Sequence, residues 1–229
     1  MLRIMRKLHN LMHPERGCVL MLHCVAARPE DNYLVITVDY LEKTIHSYFQ
    51  QGYEAVSIDE VGRRIANHEK KRFVCFTFDD GYLDVLTLAY PLLKAWQIPF
   101  CVYMTRDFYR GTAKPHWNPE APMMGVEQLL ELSADPLCAI GAHTCSHPHL
   151  SQLSSDEQRR EITESKADLE QLLGKPILHI AYPYGDYNQE TLRIVRDLGF
   201  ETAVTTSGRR VRNDSKLLEL DRVSLIQKT

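Results

Sequence analysis

Short apolar runs separated by amphipathic stretches of helical period recur from residue 18 onward, and this alternation restricts the fold more than any other feature. Residues 18–25 (CVLMLHCV), 54–58 (EAVSI), 72–78 (RFVCFTF) and 99–105 (PFCVYMT) read as strands. So do 137–142 (LCAIGA), 177–182 (ILHIAY), 200–206 (FETAVTT) and 217–225 (LLELDRVSL). Helical spacing fills 39–52, 59–68, 125–133 and 188–199, and a further helical region covers 83–96, where Pro91 starts a new turn or kinks the helix. Residues 154–174 carry a serine cap, acids in the first turn and a terminal glycine. Strands regularly separated by helices imply parallel βα units, hence a barrel or a doubly wound sheet. In both, chemistry collects at the C-terminal ends of the strands.

No internal repeat, low-complexity segment or linker divides the 229 residues, so one domain is expected over 18–229. An N-terminal extension, 1–17, is expected to be helical. Its Arg3, Arg6 and Lys7 lie among Leu2, Ile4, Met5 and Leu8, a pattern for packing on the domain surface or for peripheral contact with an anionic membrane. The net charge of −3 gives no reason to expect nucleic acid, and no apolar span is long enough for a transmembrane helix. The six cysteines are scattered without a CxxC pair, and the start lacks a secretory pattern. A cytoplasmic location is the expectation; oligomeric state is not readable.

Three clusters follow strands. Asp79 and Asp80, in FTFDDGY (76–82), end one apolar run. Adjacent side chains on a strand point to opposite faces, and an unpaired carboxylate doublet in a half-buried place needs a cation or a proton. GAHTCSHPH (141–149) follows another strand; His143 and His147, four apart, can face the same way on a helical turn or a similarly tight bend. Two imidazoles and a carboxylate make an open site for a divalent metal. His149 ranks behind His147 because Pro148 breaks the turn, and Cys145 is read as packing. In AYPYGDYN (181–188), Pro183 and Gly185 fix a tight loop that could aim the Tyr184 amide at an oxyanion. His23, near the end of the first strand, is a candidate acid. The aromatic loop 106–124 offers Tyr109, His116 and Trp117 as sugar contacts.

These motifs, in this order, resemble the polysaccharide deacetylase family, carbohydrate esterase family 4. SKADLEQLLGKPILHIAYPYGDYN (165–188) and LGFETAVTTSGR (198–209) extend the likeness, which runs from about residue 18 to the C-terminus. The resemblance implies a distorted (β/α) barrel of about seven parallel strands. It also implies a divalent metal, zinc first and cobalt, nickel or manganese as alternatives, and hydrolysis of N-acetyl groups on sugars. Carried over, Asp80, His143 and His147 would hold the metal, and Asp79 would be the general base. The Tyr184 amide would stabilise the oxyanion, with Pro183 beside it at the substrate. Family members commonly place an arginine before the Pro-Tyr-Gly loop and a Leu-x-His near the C-terminus; this chain has neither. It resembles the circularly permuted members, in which an N-terminal strand supplies the histidine, here Leu22-His23. Arg222 is expected to replace the missing arginine. The implied substrate is an N-acetylated amino sugar in a polysaccharide, oligosaccharide or lipid-linked precursor. The same site also suits an O-acetyl ester or another amide, and the barrel suits a catalytically silent carbohydrate-binding protein.

Overall fold

The computed structural model describes residues 15–227. Eleven strands occur among them: β1 (Glu15–Leu22), β2 (Cys24–Ala26), β3 (Val35–Thr37), β4 (Glu54–Ala55), β5 (Phe73–Phe78), β6 (Phe100–Met104), β7 (Cys138–Ala142), β8 (His179–Ala181), β9 (Thr202–Val204), β10 (Val211–Arg212) and β11 (Val223–Ser224). The main sheet runs β10-β1-β5-β6-β7-β8-β9, with β4 at the start of β5 and β11 on β1. Every pairing in it is parallel except β10 on β1. β2 and β3 form a separate parallel pair.

Residues 220–225 join the two sides of this sheet. Leu220 exchanges backbone hydrogen bonds with β9, its N–H to the Ala203 carbonyl and its carbonyl from the Thr205 N–H, both 2.8 Å. Three residues later β11 pairs with Leu20 and Met21 of β1, and the Leu225 N–H donates to the Met21 carbonyl. The ring therefore has seven parallel staves, the last broken between Leu220 and Val223. This is the expected distorted barrel.

Alternation along each strand sorts the core into two layers. Val19, Cys75, Cys101, Tyr103, Val204 and Leu220 fall in one buried cluster. Leu20, Val74, Phe76, Phe100, Val102 and the helix residues Leu93, Ile162 and Leu169 fall in the other. All residues of β5 and β6 are buried, the mark of parallel strands covered on both faces. All six cysteines are buried and free.

The boundaries differ from expectation in instructive places. Residues 18–25 are two strands, because the chain breaks at His23 and β2 leaves to pair with β3. The 83–96 region is a π-helical turn, Val85–Ala89, running into a helix, Tyr90–Ala95, with Pro91 in its first turn, where a missing N–H costs nothing. Residues 217–225 divide into a 3₁₀ turn, Leu217–Glu219, and β11. The extension is not helical at residues 15–17, which belong to β1 and pair with β10 and β5; its first fourteen residues, including the amphipathic pattern, lie outside the described residues. The 106–124 segment opens with a helical turn, Arg106–Tyr109. It then returns over the Asp-Asp-Gly turn: Met123 bridges Tyr82, and the Met124 N–H donates to the Gly81 carbonyl.

The longest helix, Ser155–Leu173, shows its signals in full. The Ser154 hydroxyl accepts from the Glu157 N–H, the Glu157 carboxylate accepts from the Ser154 N–H, and Gly174 ends the helix at φ +64°. Gly141 in β7 has a different reason to be glycine. A Cβ there would lie 2.4 Å from the Tyr103 ring and 3.0 Å from the His179 carbonyl oxygen. Gly141→Ala is expected to cost about 1–3 kcal/mol through overpacking. At about 2–4 °C per kcal/mol for a chain of this size, calorimetry should register the loss as a lower melting temperature.

Candidate active site

Asp79 is the first residue after β5, and its backbone N–H still donates to the Leu22 carbonyl of β1. The chain then leaves the sheet abruptly, with Asp80 at φ +72° and Gly81 at φ +87°. A left-handed residue following a strand removes the alternation that would have set the two carboxylates on opposite faces. Among the described residues, four of the six non-glycine residues with positive φ belong to the site: Asp80, Thr144, His147 and Tyr184. Each costs about 1–2 kcal/mol relative to a right-handed residue, so packing and hydrogen bonds must hold them.

The carboxylates have different partners. Arg222, fully buried, donates Nη1 to Asp79 Oδ1 at 2.7 Å and Nη2 to Oδ2 at 2.6 Å, a bidentate pair. Its remaining groups are also used: Nε donates to the Thr205 carbonyl, and Nη1 to the Thr77 hydroxyl, which itself donates to the Leu20 carbonyl. Burial alone would raise the Asp79 pKa, but the Arg222 charge and its hydrogen bonds outweigh that and hold it below the usual carboxylate range. Arg222 thus pairs with Asp79, and it precedes β11 rather than ending a long strand.

Asp80 has none of this support. It is 1% exposed, and neither of its carboxylate oxygens has a hydrogen-bond partner among the described residues. The Trp117 indole N–H donates to the Tyr82 hydroxyl, and these two groups oppose the rise of the Asp80 pKa without offsetting it. Burial first, and then the Asp79 charge, push the Asp80 pKa well above the carboxylate range. His143 Nε2 and His147 Nε2 each lie 3.6 Å from Asp80 Oδ1, beyond hydrogen-bond distance. His143 is oriented by its other nitrogen, 2.8 Å from the Ala181 carbonyl. A carbonyl only accepts, so Nδ1 carries the hydrogen and Nε2 presents a lone pair. Burial lowers both histidine pKa values, keeping the imidazoles neutral at pH 7. Potential ligand atoms of Asp80, His143 and His147 all lie within 4.8 Å of one another. An orphaned buried carboxylate facing two neutral imidazoles fits a divalent cation; without one, the carboxyl is driven to keep its proton.

These groups open into a cleft of about 380 Å³. Asp79, His143, His147, His23, Trp117 and Tyr184 are among the residues that line it. His23 sits where the first strand breaks. Burial pulls its pKa down to about 4, against the opposing charge of Asp79. Tyr184, at φ +59°, is held in the Pro183–Gly185 turn, which is closed by the Gly185 N–H to the Tyr182 carbonyl and the Asp186 N–H to the Pro183 carbonyl. The Tyr184 N–H is not used in that closure. Its ring lies edge-on to His147 at 4.6 Å and stacks on His149 at 4.0 Å. Trp117 packs on His147 at 4.6 Å, and exposed His116 packs on Trp117.

Two expected substrate contacts lie elsewhere. Tyr109 is buried, and its hydroxyl donates to Asp168 on the Ser155–Leu173 helix, because the Arg106–Tyr109 turn directs it away from the cleft. Pro183 is buried and shapes the turn without lining the cleft. Other contributors gave no sequence signal. Glu161 and Asp186 sit among ordinary polar residues, yet Glu161 binds the histidine loop, and Asp186 ties the Tyr184 turn to Ser151 through its N–H and hydroxyl.

Known proteins resemble this chain in sequence and fold. A model of the polysaccharide deacetylase family matches residues 66–203. YxkH of Bacillus subtilis (strain 168) is 27% identical over 212 residues, covering 92% of this chain and 71% of its own. The deacetylase PplD of Streptococcus pyogenes, solved in complex with acetate, superposes with a TM-score of 0.81 at 28% identity and covers 93% of each chain. IcaB from Ammonifex degensii gives 0.79 at 26% identity and 92% of each chain.

Asp80 provides a test that needs no substrate. Its raised pKa means that the unfolded chain ionises this carboxyl more readily than the folded protein does. The penalty on folding is therefore absent below the ordinary carboxylate pKa of about 4 and accumulates as pH rises through that value. In chelator-treated protein, Asp80→Asn, whose side chain tolerates positive φ, should raise the melting temperature by a few degrees at pH 7. The gain should shrink as pH falls toward about 4.

Proposed function

Since the chain belongs to the polysaccharide deacetylase family, we propose that it is a metal-dependent hydrolase that removes N-acetyl groups from an amino sugar of a polysaccharide, oligosaccharide or lipid-linked precursor. One observation carries the reading: adjacent buried carboxylates, one clamped by a guanidinium and the other left open toward two neutral imidazoles, beside a cleft that Asp79, His143 and His147 line. A binding module has no use for that asymmetry. Among the described residues no helix is long and apolar enough to cross a membrane.

Asp80, His143 and His147 would hold a divalent ion, zinc being suited to two imidazoles and a carboxylate. Such an ion polarises the acetyl carbonyl and makes a water molecule acidic enough to ionise near neutral pH. Asp79, kept ionised and oriented by Arg222, takes the proton from the attacking water. The Tyr184 N–H donates to the oxygen on which negative charge develops. His23 delivers a proton to the departing nitrogen. Because it is neutral in the resting cleft, His23 must first take up the proton that Asp79 removed from the water; giving it to the nitrogen leaves Asp79 ionised and His23 neutral again. The products are acetate and a free amine. The first strand supplies the acid, in keeping with the resemblance to the permuted members.

The two neighbours separate the roles. Asp80→Ala should lose both bound metal and acetate release. Asp79→Asn should keep the metal and lose roughly two to four orders of magnitude in kcat. Metal content and acetate release, measured together on N-acetylglucosamine oligomers and on nucleotide- or lipid-linked sugars, check both. Intact metal affinity in Asp80→Ala would contradict the ligand assignment, and release from O-acetyl esters alone would redirect the substrate reading.

A further inference from the structure

The loop between the two histidines is unusual in how it is held. A metal-binding histidine ordinarily donates its second ring nitrogen to a carbonyl or carboxylate, which fixes the ring. His143 does so with Ala181, but His147 does not: its Nδ1 is buried and has no partner among the described residues. Thr144 and His147 both have positive φ, so the loop is no helical turn and gains no support from a helical hydrogen-bond ladder. Aromatic contacts surround the His147 ring, but they limit its tilt without fixing where its backbone sits.

Within the loop, the His147 N–H donates to the Thr144 hydroxyl oxygen at 3.1 Å; the residues between the two histidines are fixed from outside it. Glu161, on the Ser155–Leu173 helix, accepts the N–H groups of Cys145 and Ser146 at Oε2, both 2.9 Å, and the Ser146 hydroxyl at Oε1, 2.8 Å. Its own backbone carbonyl accepts the Cys145 thiol. On the loop's other side, the Arg106 and Asp107 N–H groups donate to the Thr144 and Cys145 carbonyls. The residues between the ligands are thus gripped on donor and acceptor sides alike, with one carboxylate supplying every acceptor for the side-chain and backbone donors of Ser146.

We infer that Glu161 is a positioning residue for the metal ligands, standing in for the hydrogen-bond partner that His147 lacks. The inference rests on the metal-site reading above. No other acid on this helix has that geometry: Glu164, three residues on, pairs with Arg106 at the surface and does not touch the loop. Glutamine at 161 offers a single acceptor oxygen to three donors and sets an amide N–H₂ against the rest, so the loop loses its template while the helix keeps its length and cap.

The experiment titrates Co²⁺ into chelator-treated wild-type, Glu161→Gln, Glu161→Ala and Glu164→Gln proteins, reading affinity by calorimetry and ligand geometry by the visible absorption of the ion. Melting temperature is recorded for each. Both Glu161 variants should bind Co²⁺ at least tenfold more weakly, within the ~10–100-fold range for partners of metal ligands, with an altered spectrum and a metal-free fold retained. Glu164→Gln should bind as the wild type does. Affinities within twofold of wild type in the Glu161 variants, or an equal loss in Glu164→Gln, would overturn the inference. A wild-type protein that takes up no Co²⁺ would overturn the metal reading itself, and the positioning role with it.

Discussion

The pair between Arg222 and Asp79 is the constraint around which this molecule is arranged. Both side chains are excluded from water, 0% and 3% exposed, and a buried charge left without its partner costs about 3–5 kcal/mol. Arg222 lies in the broken stave that joins β9 to β1, and Asp79 at the end of β5 beside β1. Their union therefore ties the closure of the barrel to the edge of the cleft. It also divides labour between neighbours. With Asp79 neutralised by a guanidinium, only Asp80 still demands a positive partner, and His143 and His147 mark where it would be held.

The left-handed turn at Asp80 makes that division geometrically possible. A regular strand would have turned one carboxylate into the core and the other outward. The same device recurs at Thr144, His147 and Tyr184, so three separate chain segments converge through residues in unfavourable backbone regions. The surroundings are fixed by hydrogen bonds: Thr77 and Thr205 around Arg222, Glu161 at the histidine loop, Asp186 at the Tyr184 turn. Preorganisation of this kind spends folding energy so that no rearrangement is needed at the reacting carbonyl.

Much of this was legible in the residues. The alternation of apolar runs and helical stretches carries the barrel, and carboxylates and histidines placed just after strands carry the site. His23 was readable as a candidate, but not what brings it to the cleft, which is the break between β1 and β2. Arg222 could be named from its position alone; its four-way hydrogen bonding could not. Tyr109 misled because an aromatic in a loop has no periodicity to betray which way it faces, and a short helical turn aims it at Asp168. Glu161 was invisible because on an amphipathic helix an acid that binds a neighbouring loop looks like one that faces solvent. Local pattern reveals elements and strand ends; it does not reveal which polar side chain of a helix is claimed by another segment.

Asp79 can take a proton from water only while Arg222 holds it ionised. The deciding measurement is the pH dependence of kcat/KM for acetate release in Arg222→Gln, with Arg222→Lys beside it to retain a charge and metal content checked in both. Without the guanidinium, burial raises the Asp79 pKa. The acidic limb of the Arg222→Gln profile should therefore move to higher pH and the rate at pH 7 should fall at least tenfold, with the metal still bound and Arg222→Lys lying between. An acidic limb and rate matching the wild type in Arg222→Gln would contradict it.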